Sequence, residues 1–500
     1  MDGSPHPTEH LDVAIIGAGL SGICAAWHVQ NGLPDRSYAL LEMREATGGT
    51  WDLFRYPGVR SDSDMPTLGY AFRPWTSDKA IADASDILAY IRDTASEAGI
   101  DRHVRTGHKV VAAAWDTPSA RWTLTVETAE GTKAITASFV IGCTGYYDYD
   151  AGHRPDWPGF DAFAGETVHP QHWPEDLDVA GKAVCVIGSG ATAVTLVPEL
   201  ARRGARVTML QRTPTWIVAM PAEDGLSNWM RRTLGERVGH GFARWKNVLI
   251  GMGFFQMGQR APGLTGRLLN AGARRALPEG FDVETHLTAP YKPWDQRLCL
   301  IPDGDLFEAL SRGDAEIVTG RIDRFEADGV VLEDGAKLTP DVVVTATGLR
   351  IKIAGGMRLT VDGAPYDISG AFAYRGAMFT GLPNLAMMLG YTNASWTLKC
   401  ELIARYAVRL MRHMDRAGHD WAMPERPPEG AEARPVFELS AGYLERARDR
   451  MPKQSDRAPW RLVQNYLLDL RLMRWGDVTQ AMRFGRAVDA EAEVVATEGP

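Results

Sequence analysis

Residues 11–22 read LDVAIIGAGLSG and lay out a strand, a tight turn and the start of a helix. The short apolar run that ends at Ile16 is typical of a buried parallel strand. Gly17 then permits the tight turn, Gly19 lets the backbone approach a pyrophosphate, and Gly22 lets the helix pack closely on the strand. The helix N-terminus offers free N–H groups to an anion. We therefore predict that this unit binds a dinucleotide.

A second short strand, 38–41, follows the helix and ends at Glu42. Glu42 stands twenty residues beyond Gly22, where a carboxylate binds ribose hydroxyls in such units. The complete order of elements is more specific than the glycine motif alone, which would leave open a tight turn without a ligand.

The same order of elements returns about 170 residues later, with informative differences. A strand at 182–187 runs into GSGATA, which gives the form G-x-G-x-x-A. The next strand ends at Arg212 and Thr213 without a carboxylate, and an arginine here suits the 2′-phosphate of NADP. A solvated surface arginine is the alternative. The residues of this second turn that we expect to face a dinucleotide are Gly188, Gly190, Ala191, Thr192 and Ala193.

Two such units predict an α/β fold with two Rossmann-like dinucleotide-binding domains and a helical insert. We expect the chain to cross between the domains more than once. The first part of the FAD-binding domain is predicted at 1–150, and its second part at 373–500 with a loose acidic tail at 487–500. A linker and the first part of the NADP-binding domain are predicted at 151–220, and the second part of that domain at 296–372. The helical insert is predicted at 221–295.

Composition excludes several classes of function. The chain has 500 residues, of which 45% are hydrophobic and 23% charged, as in ordinary folded proteins. Lys and Arg number 54 against 63 Asp and Glu, giving a net charge of −9. Nucleic acid is therefore not an expected partner, because phosphate contact requires a basic face.

The cysteines argue against dithiol and metal chemistry. The five are scattered and no two form a C-x-x-C pair, which excludes a dithiol reductase and a thiolate zinc site, and we predict no metal. Such usage is typical of a reducing cytosol. The N-terminal residues show no signal peptide, and no run reaches the roughly 18 apolar residues of a membrane span. We expect a cytoplasmic protein.

Two further motifs narrow the class of enzyme. Residues 48–62 read GGTWDLFRYPGVRSD and residues 163–174 read FAGETVHPQHWP. They resemble the two signatures of type I Baeyer–Villiger monooxygenases, and stretches such as GYTNASWTLK at 390–399 resemble the ethionamide-activating subgroup of that family. The matching positions are Gly48, Gly49, Trp51, Tyr56, Pro57, Gly58 and Asp62 in the first motif, and Phe163, Gly165, His169, Trp173 and Pro174 in the second.

The resemblance implies FAD and NADPH as cofactors and O₂ as a co-substrate. In that family NADPH reduces the flavin, O₂ adds to form a C4a-peroxyflavin, and the peroxide attacks a ketone, which rearranges to an ester or lactone. Oxygenation of sulfides and thioamides is also implied. The expected substrates are small apolar ketones or sulfides.

The resemblance assigns two catalytic residues. The arginine of the family corresponds to Arg297, and the motif position makes Asp62 the carboxylate that orients it. A fixed guanidinium suits this chemistry because it stays charged beside an oxyanion. A surface position for Arg297 and a helix N-cap role for Asp62 are the alternatives.

Other residues receive supporting roles. Trp396 is expected on the flavin or substrate side, with a buried core position as the alternative. We predict that His169 and the rest of the second motif act structurally, coupling the domains. Further cofactor contacts are predicted for Gly49, Thr50, Trp51, Asp62 and Val110.

One position departs from the family pattern. Many members carry lysine just before the catalytic arginine as a second clamp on the 2′-phosphate, but this chain has Gln296. An amide can hydrogen-bond a phosphate but adds no charge. Preference for NADPH would then depend more on Arg212 and Thr213, and discrimination against NADH would be weaker.

The insert allows two interpretations. Arg231, Arg232, Arg244 and Lys246 alternate with aromatic residues, and an apolar run VLIGMGFF follows at 248–255. We expect a helical subdomain at the substrate entrance, with weak peripheral membrane contact as the alternative. The sequence leaves the oligomeric state open.

Two rival functions remain at this point. One is a heteroatom monooxygenase without Baeyer–Villiger activity, against which Trp173 and the Arg297–Asp62 assignment argue. The other is a flavin and NADP(H) sensor without turnover, against which the complete set of motifs argues.

Overall fold

A mixed sheet with a parallel centre and a fully parallel sheet organise the backbone of the computed structural model, which describes residues 7–488. Each sheet follows the predicted order of strand, glycine turn, helix and strand. Residues 489–500, most of the acidic tail that we expect to be loose, lie outside the described residues.

The first sheet has nine strands around a parallel centre. Pro7–Ile16 lies parallel to Tyr38–Leu41 on one side and to Gly131–Gly142 on the other. All four residues of Tyr38–Leu41 are buried, as expected for a strand covered on both faces. In spatial order the strands are Ala364–Pro365, Arg358–Val361, Lys109–Asp116, Arg121–Thr128, Gly131–Gly142, Pro7–Ile16, Tyr38–Leu41 and Val104–Arg105, with Leu385–Met387 also paired to Gly131–Gly142.

The second sheet has five strands, all parallel. Its edge strand, Glu166–Val168, comes from the second motif, which therefore takes part in the sheet and does more than link the two units. In spatial order the strands are Ala315–Thr319, Arg206–Gln211, Ala183–Ile187, Val342–Thr345 and Glu166–Val168.

Four short strand pairs and one three-stranded meander complete the sheets of the described residues. They are Ile217–Met220 with Cys299–Pro302, the meander Ile322–Glu326, Gly329–Leu332 and Lys337–Leu338, Ala373–Tyr374 with Met378–Phe379, Trp421–Pro424 with Met482–Gly485, and Ala433–Pro435 with Lys453–Ser455.

The helices cover the sheets and form the insert. In chain order the α-helices are α1 (Leu20–Gly32), α2 (Thr50–Leu53), α3 (Met65–Leu68), α4 (Ala84–Glu97), α5 (Ala191–Arg202), α6 (Gly225–Leu234), α7 (Glu236–Arg260), α8 (Pro262–Ala276), α9 (Val283–Leu287), α10 (Asp305–Arg312), α11 (Trp396–Ala417), α12 (Gly442–Glu445) and α13 (Tyr466–Trp475). Short 3₁₀ turns span Asp101–His103, Phe160–Ala162, Pro170–His172, Ile353–Gly356, Ile368–Gly370 and Arg448–Arg450.

The α/β fold with two Rossmann-like units and a helical insert is thus confirmed, with α6 to α9 forming the insert. The chain returns to the first sheet at Arg358–Val361. We therefore propose that the second part of the first domain begins shortly before residue 358, earlier than the predicted 373.

The insert is anchored to the first unit by a buried ion pair. Arg244 of α7 places Nη2 2.7 Å from Oε2 of Glu401 on α11, and both side chains are less than a tenth exposed. Nη1 of Arg244 also donates to the carbonyls of Pro66 and Gly69. Breaking a buried charge pair of this kind is costly, because it leaves an uncompensated charge, so the pair ties α7 to α11.

The cysteines and helices add two observations. All five cysteines, which are Cys24, Cys143, Cys185, Cys299 and Cys400, are buried free thiols. Among residues 7–488, no helix combines the length and hydropathy that crossing a bilayer requires.

Close packing at Gly22 yields a testable prediction. A Cβ placed on Gly22 would lie 1.9 Å from the carbonyl oxygen of Gly17, so α1 would have to move away from the glycine turn. We expect Gly22→Ala to lower the free energy of unfolding by about 1–3 kcal/mol. Gly272→Ala in α8 is the control, because a Cβ there meets no heavy atom within 4 Å. Urea denaturation of both variants checks this, and equal stability of Gly22→Ala and the parent would contradict it.

Candidate functional site

A large cleft lies where the glycine turn of the first sheet meets that of the second. It encloses about 2040 Å³ of space not filled by protein atoms, including its open mouth. The first motif, the two glycine turns and the start of α11 all contribute to its wall. The predicted site residues on the wall are Gly17, Gly19, Glu42, Gly49, Thr50, Trp51, Asp62, Val110, Ala191, Thr192, Arg297 and Trp396.

Glu42 braces the first glycine turn. Its Oε2 accepts a hydrogen bond from the backbone N–H of Ala18 at 2.7 Å, and its Oε1 accepts one from Arg44 N–H at 2.9 Å. Burial raises the pKa of Glu42, although these two N–H groups partly offset the rise. The carboxylate at the end of the second strand thus also fixes the shape of the turn before it.

The paired glycines of the first motif allow two backbone segments to touch. Gly48 forms a bridge with Gly19, and a Cβ on Gly49 would lie 3.1 Å from the Cα of Gly19. Gly49 also adopts φ +57°, a region that side chains disfavour. Thr50, at the start of α2, lies beside the cleft with Oγ1 3.3 Å from the hydroxyl of Tyr149. The motif therefore presses its backbone against the glycine turn.

Arg297 and Asp62 form a two-point ion pair on the cleft wall. Nε of Arg297 lies 2.9 Å from Oδ2 of Asp62, and Nη2 lies 3.0 Å from Oδ1. Nη2 is also 3.3 Å from Oγ of Ser63. The two side chains are 35% and 34% exposed, so they are partly open to the cleft that they line. The structure brings together the two residues predicted to be catalytic.

The surroundings of Arg297 favour its protonated, positively charged form. Burial alone would lower its pKa, but Asp62 and the neighbouring tyrosines raise it above the ordinary value. The alternative N-cap role for Asp62 is not observed, because the cap of α3 is Asp64, which accepts from the backbone N–H of Thr67. Asp62 is therefore available to Arg297.

The turn that carries Arg297 is held from two sides. Cys299–Pro302, just beyond it, pairs with Ile217–Met220, and the carbonyl of Asp295 accepts hydrogen bonds from N–H and Oγ of Ser440. Trp294 within the turn has φ +75°, a strained conformation for a bulky residue. The arginine is thus positioned by backbone that is fixed before and after it.

An aromatic wall faces this pair, and it joins the predicted Trp396 to tyrosines that sequence reasoning missed. The hydroxyls of Tyr146 and Tyr147 lie 2.6 Å apart, and the Tyr146 ring stacks on Trp396 with centroids 4.9 Å apart. Nε1 of Trp396 donates to Oγ of Ser21 at 2.9 Å. Burial raises the pKa of Tyr443, and Tyr146 raises it further. The run YYDYD at 146–150, directly after a strand and a Thr-Gly pair, is the signal that could have identified the wall.

The first motif also reaches the second glycine turn. Tyr56 is half-buried and lines the cleft together with Thr192, and desolvation raises the pKa of Tyr56 to about 12. Gly58 is needed next to it, because a Cβ there would lie 3.0 Å from Cβ of Glu199. Gly188 has φ +142° and would place a Cβ 2.3 Å from the carbonyl oxygen of Ala346. The motif therefore connects the two units.

The predicted 2′-phosphate residues lie outside the described cleft wall. Nε2 of Gln296 donates to the carbonyl of Ser440 at 3.4 Å, and the carbonyl of Thr213 accepts from Oγ of Ser189 at 2.9 Å. Arg212 lies close to Arg446, whose pKa is lowered by burial and then by Arg212. Arg446 follows α12, far along the chain, and no local sequence pattern marks it.

The second motif is placed as a structural element. Gly165 packs against the Phe163 ring and the carbonyl of Asp341, which would lie 2.5 and 2.6 Å from a Cβ. Nδ1 of His169 accepts from the backbone N–H of Gln171 at 3.2 Å, and burial lowers the pKa of His169. Trp173 packs against the core of the second unit, and Pro174 follows it. None of these residues is on the described cleft wall.

Among residues 7–488, one group of potential metal ligands lies between α1 and α11. Ligand atoms of Cys24, His28 and Glu401 lie within 4.8 Å of one another. Both oxygens of Glu401 already accept hydrogen bonds, from Arg244 and from the backbone N–H of Ala71. Because that carboxylate is already paired with a cation, we assign no metal to this group.

Comparison with known proteins agrees with this architecture. Residues 11–354 match the model of the family described as flavin-binding monooxygenase-like. The chain is 50% identical over 481 residues to the FAD-containing monooxygenase EthA of Mycobacterium tuberculosis, covering 96% of this chain and 98% of EthA. It is 49% identical over 474 residues to EthA of Mycolicibacterium smegmatis, covering 95% and 96%.

Solved structures show the same fold at low identity. An oxidized steroid monooxygenase bound to NADP superposes with a TM-score of 0.76 at 20% identity, covering 95% of this chain and 100% of that one. Cyclohexanone monooxygenase bound to ε-caprolactone gives 0.73 at 22% identity, covering 95% and 100%. With a family match over most of its length and relatives that share half of its residues, this chain belongs to the flavin-binding monooxygenase family.

Proposed function

We propose that this protein is an FAD-containing, NADPH- and O₂-dependent Baeyer–Villiger monooxygenase that converts ketones to esters or lactones. Sulfides and thioamides are proposed as further substrates. The observation that carries the proposal is the two-point Arg297–Asp62 pair on the wall of a cleft shared by two dinucleotide-type glycine turns. The close relatives named FAD-containing monooxygenase support the choice of cofactor.

The residues of the cleft fit both cofactors. A Cβ on Gly19 or Gly49 would fill the narrow passage between the two backbone segments, so the glycines leave a cradle for a pyrophosphate. Val110 and Glu42 would hold the adenosine half of FAD, while Ala191 and Thr192 would hold NADP at the N-terminus of α5. When bound, FAD supplies oxygen activation and NADPH supplies the hydride.

Arg297 would stabilise negative charge on a reacting oxygen. Asp62 engages Nε and Nη2, which leaves Nη1 of Arg297 without a partner among residues 7–488. A fixed guanidinium acts most strongly where water is scarce, and the Tyr146–Trp396 stack borders the same cleft. Asp62 would orient the fork and keep it charged. A sensor without turnover would not need this oriented donor, so the geometry of Arg297 argues against that alternative.

Product analysis tests the reaction. We expect the purified holoenzyme with NADPH, ¹⁸O₂ and 2-octanone to form hexyl acetate carrying one ¹⁸O atom, and with hexyl methyl sulfide to form the sulfoxide. Sulfoxide without ester would establish the heteroatom monooxygenase. Failure of both substrates to stimulate NADPH consumption would favour the sensor.

Substitution of the arginine tests its assigned role. We expect Arg297→Lys to lower ester formation by about a hundredfold or more, because lysine cannot reproduce the oriented fork. Flavin content should stay at the parental level, since the side chain of Arg297 bonds to Asp62 and Ser63 and to neither glycine turn. Arg275→Lys, an exposed arginine of α8, is the control. Ester formation within tenfold of the parent in Arg297→Lys would contradict the role.

A second substitution series tests coenzyme recognition. Because Gln296 faces Ser440, we propose that Arg446 and Arg212 together hold the 2′-phosphate. We expect Arg212→Gln and Arg446→Gln each to raise KM for NADPH about tenfold while leaving KM for NADH unchanged, since a charge-assisted hydrogen bond contributes about 1.5–3 kcal/mol. Arg448→Gln is the control, because Arg448 pairs with Glu445. Unchanged KM values for NADPH in both variants would show that other residues bind the 2′-phosphate.

Weak membrane contact is a separate proposal for the insert. The four basic residues that the sequence singled out are all paired, Arg231 and Arg232 with Asp78, Arg244 with Glu401 and Lys246 with Asp224, so these four do not form a free cationic face. Large apolar side chains are nevertheless exposed on α6 to α8, namely Leu226, Trp229, Leu234, Val238, Phe242, Trp245, Leu249, Ile250, Leu264 and Leu268. This surface would insert shallowly at a lipid interface.

Vesicle flotation tests this contact. Because the exposed surface is apolar and the four basic residues singled out in the sequence are paired, we expect comparable flotation with neutral and anionic vesicles and little effect of salt. Trp229→Ser with Ile250→Ser should reduce it. Absence of the parent protein from the floated fraction at low salt would contradict the proposal.

A further inference from the structure

A second cavity, separate from the cleft, lies between the insert and the end of the chain. It encloses about 1030 Å³ and is bordered by α7, α11 and α13 together with residues 71–74. None of its wall residues belongs to the wall of the cleft. The function proposed above therefore leaves this cavity without a role.

The cavity wall carries uncompensated positive charge. Arg237, Arg405 and Arg474 line it, and none of the three has a carboxylate partner among residues 7–488. The one carboxylate on the wall, Glu401, is already neutralised by Arg244 at 2.7 Å. Arg237 and Arg474 are exposed and Arg405 is half-buried, and Arg474 also lies over the ring of Trp475. Three guanidinium groups without a carboxylate partner around one cavity favour an anion there, because like charges repel unless an anion joins them.

A buried polar atom on the same wall also lacks a partner. His240 of α7 is 5% exposed, and its Nε2 has no hydrogen-bond partner in the described structure. His240 also borders a smaller neighbouring cavity. Buried polar atoms are almost always hydrogen-bonded, so its Nε2 has room for a hydrogen bond to a ligand or an ordered water.

The rest of the wall is apolar. Trp245 of α7 and Tyr466 of α13 contribute neighbouring rings with centroids 5.8 Å apart. Val248, Leu402 and Leu470 extend the apolar surface. A cavity with apolar walls and a few converging charged groups is the usual form of a small-molecule site.

We propose that this cavity binds an amphipathic anion, with an oxyanion head held by the guanidinium groups of Arg237, Arg405 and Arg474 and an aliphatic tail against Trp245 and Tyr466. Guanidinium groups match the geometry of carboxylates and phosphates alike. The head could therefore belong to a fatty acid or to an alkyl phosphate. Binding here needs neither flavin reduction nor the Arg297–Asp62 pair.

Calorimetric titration of the holoenzyme tests the proposal. The probes are dodecanoate and dodecyl phosphate, with dodecanol, acetate and inorganic phosphate as comparisons, all below micellar concentration. We expect saturable binding of at least one charged amphiphile, at least about tenfold tighter than dodecanol. The head group that binds more tightly then shows whether the natural ligand is a fatty acid or an alkyl phosphate. Acetate and inorganic phosphate should bind much more weakly, because they lack the tail.

Variants locate the binding in this cavity. We expect Arg237→Gln with Arg474→Gln to weaken binding of the charged amphiphile about tenfold or more while leaving flavin content and NADPH oxidation unchanged. Arg471→Gln is the matched control, because it lies on the same helix α13, is exposed, and is not on the cavity wall. Equal binding of dodecanol and the charged probes would overturn the proposal, as would an unchanged affinity in the double variant or an equal loss in the control.

Discussion

A guanidinium–carboxylate pair that is partly open to a cleft holds one geometry only if the backbone on both sides is fixed. Arg297 and Asp62 meet this condition although they lie far apart in the chain. Asp62 belongs to the motif that presses against one glycine turn and packs against α5 of the second unit at Gly58. Arg297 follows a strained turn that is tied to Ser440 and to a parallel strand pair. The geometry of the ion pair therefore depends on how the two units are positioned relative to each other.

The insert and the C-terminal segments complete this arrangement. Arg244 docks α7 onto α11 through a buried ion pair, and α11 begins at Trp396 on the cleft wall. The segment around α12 brings Ser440, Tyr443 and Arg446 beside the Arg297 turn and Arg212. Elements distant in sequence thus converge on one cleft, and the second cavity forms where α7, α11 and α13 leave a gap.

Local sequence patterns predicted the two dinucleotide units well, because strand, glycine turn and helix are contiguous and each glycine answers a local steric demand. The strand 38–41 was predicted without error, and the strand predicted at 182–187 begins one residue later in the structure. The linker prediction for the second motif was incomplete, since Glu166–Val168 joins the second sheet. Sheet-edge pairing depends on a partner strand far along the chain, and no local pattern encodes it.

Residue pattern and spacing were sufficient to establish the fold class, and the resemblance of two motifs to a known family supplied the flavin monooxygenase assignment and the candidates Arg297 and Asp62. The folded chain settled what depends on distance in space. It placed Gln296 against Ser440, Arg446 beside Arg212, and Tyr146 on Trp396. It also showed that Arg231, Arg244 and Lys246 of the insert are each paired with a carboxylate. Side-chain partners separated by hundreds of residues are selected by packing and charge compensation, which a linear pattern does not contain.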